Sequence, residues 1–282
     1  MPPTLLVSYK GNGYSVPKSY IGKRVKLIPI SNKLYIYFNT ELITIHDISI
    51  NKFMEYLDNY IEYINNGSKT IIDALYELFE YECNIRVERA MNACVKVANF
   101  PFLKTFEDFN FSFQPSINKE QIINYRYLKF IENKENIIFI GSPGVGKTHL
   151  ATSIGIEAAK SRISTYFISC GDLLLQLKRA HLENRLEQRI KFFSKYKLLI
   201  IDEVGFLPLD IESSNLLFQL IAKRYEKNST IVTTNKPLSR WGEIFGDPVL
   251  ANAILDRLLH HSNVINIVGR SYRIKDIIED DN

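Results

Sequence analysis

The chain has 282 residues, a length typical of about two domains, and 46% of them are hydrophobic, which is enough for a sizeable core. With 23% charged residues, 13 glycines, 10 prolines and no repeated or low-complexity segment, the composition excludes fibrous and intrinsically disordered proteins. The formal net charge of +4 is too small to indicate a polyanionic partner by itself. The charges are unevenly distributed, however, with +4 in residues 1–50, −3 in residues 51–100 and +5 in residues 151–200.

The sequence shows no targeting signal and no disulfide-type cysteine pattern, so we expect a cytoplasmic protein with no membrane partner. No apolar run approaches the roughly 18 to 20 residues that span a bilayer, and the first residues lack the basic and then apolar order of a secretory signal. Cys83, Cys94 and Cys170 are widely spaced and form no CxxC motif, so we expect them to be reduced and structural. Cys170 is predicted to be a small apolar filler at a strand end.

Residues 1–50 are predicted to form a small β-barrel. The triplet Gly11-Asn12-Gly13 supplies the positive φ angles that a tight hairpin needs. Short runs rich in β-branched and aromatic residues surround and follow this turn. The predicted strands are Val7–Lys10, Tyr14–Val16, Val25–Ile28, Leu34–Phe38 and Leu42–Ile45.

Residues 51–98 are predicted to be a helical connector. Apolar residues recur there at the spacing of one helix face, namely Phe53, Tyr56, Leu57, Tyr60, Ile61 and Ile64. Asn65-Asn66-Gly67 ends this helix, and Ser68 is the predicted N-cap of a second helical stretch through Ala98. This acidic segment fits an ordinary connector and a partner-binding surface equally well.

Residues 99–282 are predicted to be an α/β domain with a parallel sheet. Short apolar or β-branched runs alternate with helix-length segments, which is typical of a sheet covered by helices on both faces. The predicted strands are Ile137–Ile140, Thr165–Ser169, Leu198–Ile201, Thr230–Thr233 and Val264–Ile267.

An octapeptide directly after the first of these strands fits the phosphate-binding pattern G-x-x-x-x-G-K-[ST]. The backbone N–H groups of such a loop surround phosphates, and the following helix presents its positive N-terminal end to them. We expect Lys147 to reach the β- and γ-phosphates of ATP and Thr148 to supply a hydroxyl to Mg²⁺. The predicted nucleotide-binding residues are Gly141, Ser142, Pro143, Gly144, Val145, Gly146, Lys147, Thr148 and His149.

Two later strands end in polar residues, and the strands of one parallel sheet end at the same crevice. Asp202 and Glu203 follow a buried strand, where acids are costly unless they meet a cation or hydrogen-bond donors. Asp202 is therefore the predicted Mg²⁺ ligand. Glu203 is the predicted catalytic base that activates water. Asn235, at the end of the next strand, is predicted to hold that water or to sense the γ-phosphate.

His260 and His261 are adjacent in the sequence. Neighbouring residues of a helix point about 100° apart, so both rings cannot easily face one ion. No acid or cysteine lies at ligand spacing from them. We therefore predict structural or interface roles for both.

Together with further motifs, these residues resemble the IstB-like ATP-binding proteins, transposition helpers related to the DnaC helicase loaders. The matching segments are Ala98–Pro101, Lys104–Phe109, Gly141–Thr148, Leu198–Glu203, Trp241–Glu243, Ala253–Ser262 and Ser271–Arg273. The resemblance extends from about Ala74 to Asp276. It implies the AAA+ fold, ATP-driven self-assembly on double-stranded DNA and cooperation with a transposase.

The same resemblance assigns roles to two arginines near the end of the chain. Arg257 resembles the arginine finger that enters a neighbouring subunit's ATP site, which implies a homo-oligomer with a finger in trans. Arg273 resembles the sensor-2 arginine. A guanidinium is permanently charged and forked, so it suits the charge on a transferring phosphoryl group. From the residues alone, a surface ion pair with Asp256 is the simpler interpretation of Arg257.

Residues 1–50 carry a second resemblance, to the small β-barrel near the C-terminus of the partner transposase, the IstA type. It rests on Val7–Tyr9, Tyr14–Pro17, Gly22–Val25 and Ile45-His46. These proteins are normally separate, so the chain resembles a transposase tail joined to a helper with a shortened N-terminus. Because no DDE catalytic core fits in so short a segment, we expect that the chain does not cut or join DNA itself.

A basic run between Gln176 and Lys197, with a local charge of +5, is the predicted DNA contact. If this run is one helix, Lys178, Arg185 and Arg189 form one stripe that can follow phosphates without reading bases. A solvated helix face is the alternative.

The sequence thus favours a Mg²⁺-dependent ATPase that oligomerises on duplex DNA and assists a transposase. One alternative within the same chemistry is a DnaC-like replicative helicase loader. An alternative of another class is a non-hydrolysing ATP- and DNA-binding module left by a gene fusion.

Overall fold

A computed structural model describes residues 6–9, 12–20, 23–30, 33–47, 60–206 and 208–274. The chain divides into two compact units, residues 1–86 and 87–282. Part of the predicted first helix, including Phe53, Tyr56 and Leu57, lies outside the described residues.

All five strands predicted for the first unit are present, within two residues at either end. They are β1 (Leu6–Tyr9), β2 (Asn12–Ser15), β3 (Lys26–Ile30), β4 (Lys33–Phe38) and β5 (Glu41–Asp47). Strands β1 and β2 form one antiparallel sheet, and β3, β4 and β5 form another. Pro29 lacks an N–H group but lies in β3, an edge strand, where a missing donor is tolerated.

The two small sheets share one core. Tyr14, Val16, Leu34 and Ile36 are buried together in it. Among the described residues, however, no ladder joins the two sheets, so the predicted small β-barrel is observed as two antiparallel sheets around this core. The 3₁₀ turn Lys18–Tyr20 lies between the two sheets along the chain.

The connector is helical, as predicted, but its cap differs from the prediction. Residues 60–65 are helical, and helix α1 (Ile71–Val97) follows. The Thr70 hydroxyl oxygen accepts a hydrogen bond from the Asp73 N–H at 3.2 Å and donates to the Asp73 carboxylate at 2.6 Å. The predicted N-cap, Ser68, is therefore wrong, because its hydroxyl donates to the Tyr63 carbonyl at 3.0 Å and belongs to the preceding turn.

The second unit contains a five-stranded parallel sheet with the strand order β10-β6-β9-β8-β7. All five predicted strands are confirmed. Their bounds are β6 (Asn136–Gly141), β7 (Thr165–Ser169), β8 (Leu198–Val204), β9 (Ser229–Thr234) and β10 (Ser262–Ile267). The helices are α2 (Lys119–Asn124), α3 (Lys129–Glu132), α4 (Lys147–Lys160), α5 (Cys170–Leu182), α6 (Leu186–Ser194), α7 (Ile211–Arg224), α8 (Trp241–Phe245) and α9 (Pro248–Leu259).

Successive strand residues point to opposite faces of this sheet, and both faces are covered. Ile137 and Phe139 pack with α4 in one buried cluster. Ile138, between them, packs with α5, α7 and α9 in the other cluster. Cys170 lies in this second cluster, where burial raises the pKa of its thiol to about 12. It is an apolar filler, as predicted.

The basic run after β7 is not one helix. Helix α5 ends at Leu182, and Asn184 adopts a left-handed backbone with φ +55°. Arg185 then occupies the N-cap position of α6. The predicted single stripe of Lys178, Arg185 and Arg189 is therefore wrong, because the helical register breaks between the first two residues. Within the described residues, no helix is long and apolar enough to cross a membrane.

Candidate functional site

The phosphate-binding loop connects β6 to α4 at the carboxyl edge of the sheet, as the motif predicts. Gly144 and Gly146 have φ angles of +82° and +100°, which side chains rarely adopt. A Cβ atom on Gly146 would also lie 2.5 Å from the Phe109 ring. The loop can therefore keep this path only with glycine at that position.

Lys147, the first residue of α4, extends over this loop. Its Nζ donates hydrogen bonds to the Gly141 and Ser142 carbonyls, each at 2.8 Å. Burial lowers the pKa of Lys147, and the Asp202 carboxylate opposes that shift. A partly desolvated cation beside a glycine-rich loop is well suited to binding phosphate oxygens.

Asp202 and Thr148 meet next to this lysine. The Thr148 hydroxyl lies 3.0 and 3.1 Å from the two Asp202 carboxylate oxygens. The Thr233 hydroxyl donates to the same carboxylate at 2.5 Å. Burial raises the pKa of Asp202, while the hydrogen bonds from the two hydroxyls act against the shift. A buried carboxylate and a threonine hydroxyl together offer the oxygen ligands that Mg²⁺ prefers.

Glu203 follows Asp202 directly but has a different environment. Its side chain is exposed and lines the same cavity. Its backbone has a φ of +61°, which is uncommon for a residue with a side chain, and its N–H donates to the Thr233 hydroxyl at 2.9 Å. The turn of the backbone thus separates a buried carboxylate from a carboxylate open to solvent.

Asn235 also lines the cavity, after the end of β9. Its Oδ1 is buried and has no hydrogen-bond partner among the described residues. Buried acceptors are rarely left unpaired, so this atom is available to a bound water or ligand.

The two predicted arginines lie in different places. Arg273 lines the cavity, and the hydrogen bond from the Tyr272 N–H to the Gly144 carbonyl, at 2.9 Å, ties its segment to the phosphate loop. Arg257 lies on α9 outside the residues that line the cavity. Its Nη1 donates to the Ala253 carbonyl at 2.8 Å, and its guanidinium lies 4.8 Å from the Phe218 ring centroid.

The cavity measures about 710 Å³ and is lined by both polar and aromatic residues. His149, one of the lining residues, contacts the Phe102 and Phe109 rings, with centroid distances of 6.3 and 5.2 Å. Its Nε2 lies 2.8 Å from the Thr105 carbonyl oxygen, and burial lowers its pKa, which favours the neutral ring. The volume and the mixed lining fit a nucleotide, which has both charged phosphates and an apolar base.

Sequence reasoning did not identify three residues that shape this site. Thr233 holds both acidic residues, Phe109 packs on the phosphate loop, and Tyr272 anchors the Arg273 segment. Thr233 could have been found, because it is a hydroxyl residue at the end of a buried strand beside that of Asp202. Phe109 and Tyr272 lie in segments that carry the family resemblance, but their contacts with the phosphate loop join residues far apart in the chain, which no local pattern reveals.

The predicted DNA contacts are already engaged within the chain. Lys178 Nζ lies 2.5 Å from the Asp210 carboxylate, and Arg185 is paired with Glu183. The Arg189 guanidinium lies 5.2 Å from the Phe192 ring centroid. None of the three lines the nucleotide-sized cavity.

Residues 44–279 match the family described as IstB-like ATP binding protein, and residues 1–54 match that described as Mu transposase, C-terminal domain. The chain is 53% identical over 235 residues to the ATP-binding protein of insertion sequence IS232 from Bacillus thuringiensis subsp. berliner, covering 83% of this chain and 94% of that protein. It is 43% identical over 227 residues to the IS21 ATP-binding protein of Pseudomonas aeruginosa, covering 79% and 86%.

Among solved structures, AMPPCP-bound DnaA from Aquifex aeolicus superimposes with a TM-score of 0.52 at 19% identity, covering 64% of this chain and 55% of that one. At this identity the similarity concerns the fold alone. The fold of the second unit is that of the AAA+ P-loop proteins. The chain therefore belongs to the family of IstB-like ATP-binding proteins, and its residues 1–54 are in addition similar to the C-terminal domain of Mu transposase.

Proposed function

We propose that this protein is a Mg²⁺-dependent ATPase that assembles on double-stranded DNA and assists a transposase. The observation that carries the proposal is the pair of adjacent acids, Asp202 buried against Thr148 and Glu203 exposed to the same cavity. In this proposal one carboxylate binds the metal ion and the other activates water, and a nucleotide-binding site without hydrolysis does not require the second role.

Each residue of the site has a distinct role in this proposal. The loop N–H groups and Lys147 bind the phosphates, and Thr148 with Asp202 would hold Mg²⁺, which would supply charge neutralisation at the phosphates. Glu203 accepts the proton of the attacking water. Asn235 orients that water through its free Oδ1, and Arg273 stabilises the negative charge of the phosphates.

Assembly and partners rest on different parts of the chain. Arg257 does not line its own cavity, so in this proposal it completes the site of a neighbouring subunit. The excess of basic residues between 176 and 197 supports contact with DNA phosphates. The transposase C-terminal domain at residues 1–54, together with the insertion-sequence origin of the relatives, supports a role in transposition.

The proposal is tested by two substitutions measured with and without duplex DNA. We expect Lys147→Ala to weaken ATP binding, because its ammonium contacts phosphates in the ground state. We expect Glu203→Gln to leave ATP binding intact and to lower the hydrolysis rate by at least about 100-fold, because it removes only the base. Both substitutions leave the Asp202 hydrogen bonds in place, so urea unfolding serves as the folding control. A wild-type protein that binds ATP without hydrolysing it, alone or on DNA, would support the non-hydrolysing alternative instead.

A further inference from the structure

A cluster of two histidines and one glutamate lies on the surface of the second unit, outside the nucleotide cavity. Glu226 lies in the turn between α7 and β9, and His260 and His261 lie between α9 and β10. One ligand atom from each of the three side chains lies within 4.8 Å of the other two. All three residues are exposed, so an ion can reach them from solvent.

The structure removes both sequence arguments against a metal site at these histidines. His260 follows the last residue of α9, and His261 adopts a left-handed backbone with φ +71°, so the two residues are not successive positions of a helix. Their ring centroids are consequently 4.0 Å apart. The missing acid is supplied by Glu226, whose Oε1 lies 3.6 Å from His260 Nδ1.

We propose that Glu226, His260 and His261 form a binding site for a borderline divalent transition metal ion, with Zn²⁺ as the best fit. Two imidazoles and one carboxylate suit Zn²⁺ and its neighbours in the series, whereas Mg²⁺ and Ca²⁺ prefer oxygen ligands only. Three protein ligands leave the fourth tetrahedral position to water.

The geometry requires only side-chain adjustment. In a tetrahedral zinc site with bonds of about 2.0 to 2.1 Å, the ligand atoms are about 3.3 Å apart. The three ligand atoms here lie within 4.8 Å of one another, so they must move closer by on the order of 1 Å. Backbone hydrogen bonds already fix the two turns that carry these side chains. The Asn136 N–H donates to the His261 carbonyl at 2.8 Å, and the Lys227 N–H donates to the Arg224 carbonyl at 2.9 Å.

Tyr225 is the nearest polar neighbour of the cluster. Its hydroxyl lies 2.7 Å from His260 Nδ1. This contact orients the His260 ring, and a metal ion bound at Nδ1 would have to displace it.

An ion bound here would fasten the end of α9 to the turn after α7. Because binding occurs only when the chain is folded, it would stabilise the native state in proportion to the metal concentration. A simple ion pair between Glu226 and protonated His260 is the competing explanation, and an exposed pair contributes little to stability and needs no metal.

The test is a titration of the full chain, produced without a histidine tag, with Zn²⁺ against a chromophoric chelator. Excess Mg²⁺ is present to occupy sites built from oxygen ligands. We expect one Zn²⁺ per chain and a zinc-dependent rise in Tm. Glu226→Gln and His261→Ala should each weaken zinc binding by at least about tenfold, and each should remove the rise in Tm.

His181→Ala is the matched control, because His181 is exposed on α5, away from the cluster. It should bind Zn²⁺ as the wild type does. Because Glu226→Gln changes a single exposed atom, it keeps the test valid even if His261→Ala fails to fold. The proposal is overturned if the wild type binds no Zn²⁺ or if Glu226→Gln binds it with unchanged affinity.

Discussion

Asp202 and Glu203 show how two identical functional groups, adjacent in the sequence, acquire different chemistry. Asp202 ends the buried part of β8 and receives hydrogen bonds from Thr148 and Thr233. Glu203, in a left-handed conformation, turns its carboxylate out of the sheet. Burial favours the protonated form of the first carboxylate, whereas the second remains in contact with water.

The first prediction concerns the cost of that burial. Because the pKa of Asp202 is raised above its ordinary 3.8, the folded chain holds this proton more tightly than the unfolded chain. Between the pKa of Asp202 in the unfolded chain and its pKa in the folded chain, the contribution of Asp202 to stability therefore grows as the pH falls and is lost as the pH rises. We expect Asp202→Asn to raise the Tm of the nucleotide-free protein at neutral pH and to abolish Mg²⁺-dependent ATP binding.

The measurement is thermal unfolding across the acidic range, with the variant compared with the wild type at each pH. The difference in stability between the two proteins should shrink as the pH falls. Thr148→Ala is a useful control, because it removes a metal ligand and leaves the Asp202 carboxylate in place. A variant less stable than the wild type at every pH would contradict the prediction.

At the scale of elements, Arg224 joins three parts of the second unit. This side chain is 1% exposed, and burial lowers its pKa to about 9, so it is a buried cation at neutral pH. It donates hydrogen bonds at 2.5 to 3.0 Å to the carbonyls of Phe193, Tyr196 and Ser229 and to the Thr230 hydroxyl. The end of α6, the end of α7 and the start of β9 thus depend on one guanidinium.

The second prediction is that Arg224→Lys destabilises the protein by about 3 kcal/mol or more. A lysine has one nitrogen, so it cannot reach acceptors on both elements, and buried carbonyls left without donors cost about 1–3 kcal/mol each. Urea unfolding measures the change. Arg179→Lys, at an exposed position of α5, is the matched control and should change stability by less than about 0.5 kcal/mol. Equal stability of the two variants would contradict the role of Arg224.

Helices α5 and α6 carry the basic run, but their arrangement changes what a DNA contact requires. The break at Asn184 puts Lys178 on one helix and Arg189 on the other. Phosphates must also compete with Asp210 for Lys178 and with Glu183 for Arg185. Exposed pairs of this kind are weak, so the competition is possible.

The third prediction is that alanine at Lys178, Arg185 and Arg189 together weakens DNA binding equally for all sequences. The log–log salt dependence of the affinity should flatten by roughly one unit for each lost phosphate contact. Alanine at Lys119, Lys129 and Lys223, which are exposed elsewhere on the unit, removes the same charge and should have a smaller effect. Unchanged affinity and slope in the first variant would place the DNA elsewhere, with the basic residues 1–50 as the next candidate.

At the scale of the whole molecule, the proposed function makes assembly a condition of hydrolysis, because Arg257 does not line the cavity of its own chain. One chain supplies Lys147, Asp202 and Glu203 to its own cavity, but its Arg257 packs on Phe218 away from it. If the Arg257 guanidinium stabilises the transition state, it must therefore come from a second subunit. An arginine supplied in this way is worth about 10³ to 10⁵ in rate.

The fourth prediction is that Arg257→Ala keeps its ATP affinity and loses hydrolysis in the assembled state by about 10³-fold or more. Mixing Arg257→Ala subunits with Glu203→Gln subunits should restore part of the activity, because some mixed interfaces combine an intact base with an intact arginine. Hydrolysis and co-assembly are measured on the same mixture. Co-assembled mixtures that remain inactive would show that Arg257 does not act in trans.

The sequence by itself determined the nucleotide site. A phosphate-binding loop is a local pattern, and Asp202 and Asn235 could be placed near it because parallel strands end at the same edge of a sheet. The strands themselves were predictable, since their buried runs are continuous and β-branched. The break between α5 and α6 was not predictable, because the left-handed backbone at Asn184 is only one of the conformations that asparagine adopts.

Only the tertiary structure decided which distant residues meet. Thr233 bridges the two acids because β8 and β9 are neighbours, and Glu226 reaches His260 because two turns converge at one end of the sheet. Arg257 lies outside its own cavity because α9 packs against α7. Contacts between residues far apart in the chain depend on packing and not on local pattern, so no spacing in the sequence encodes them directly.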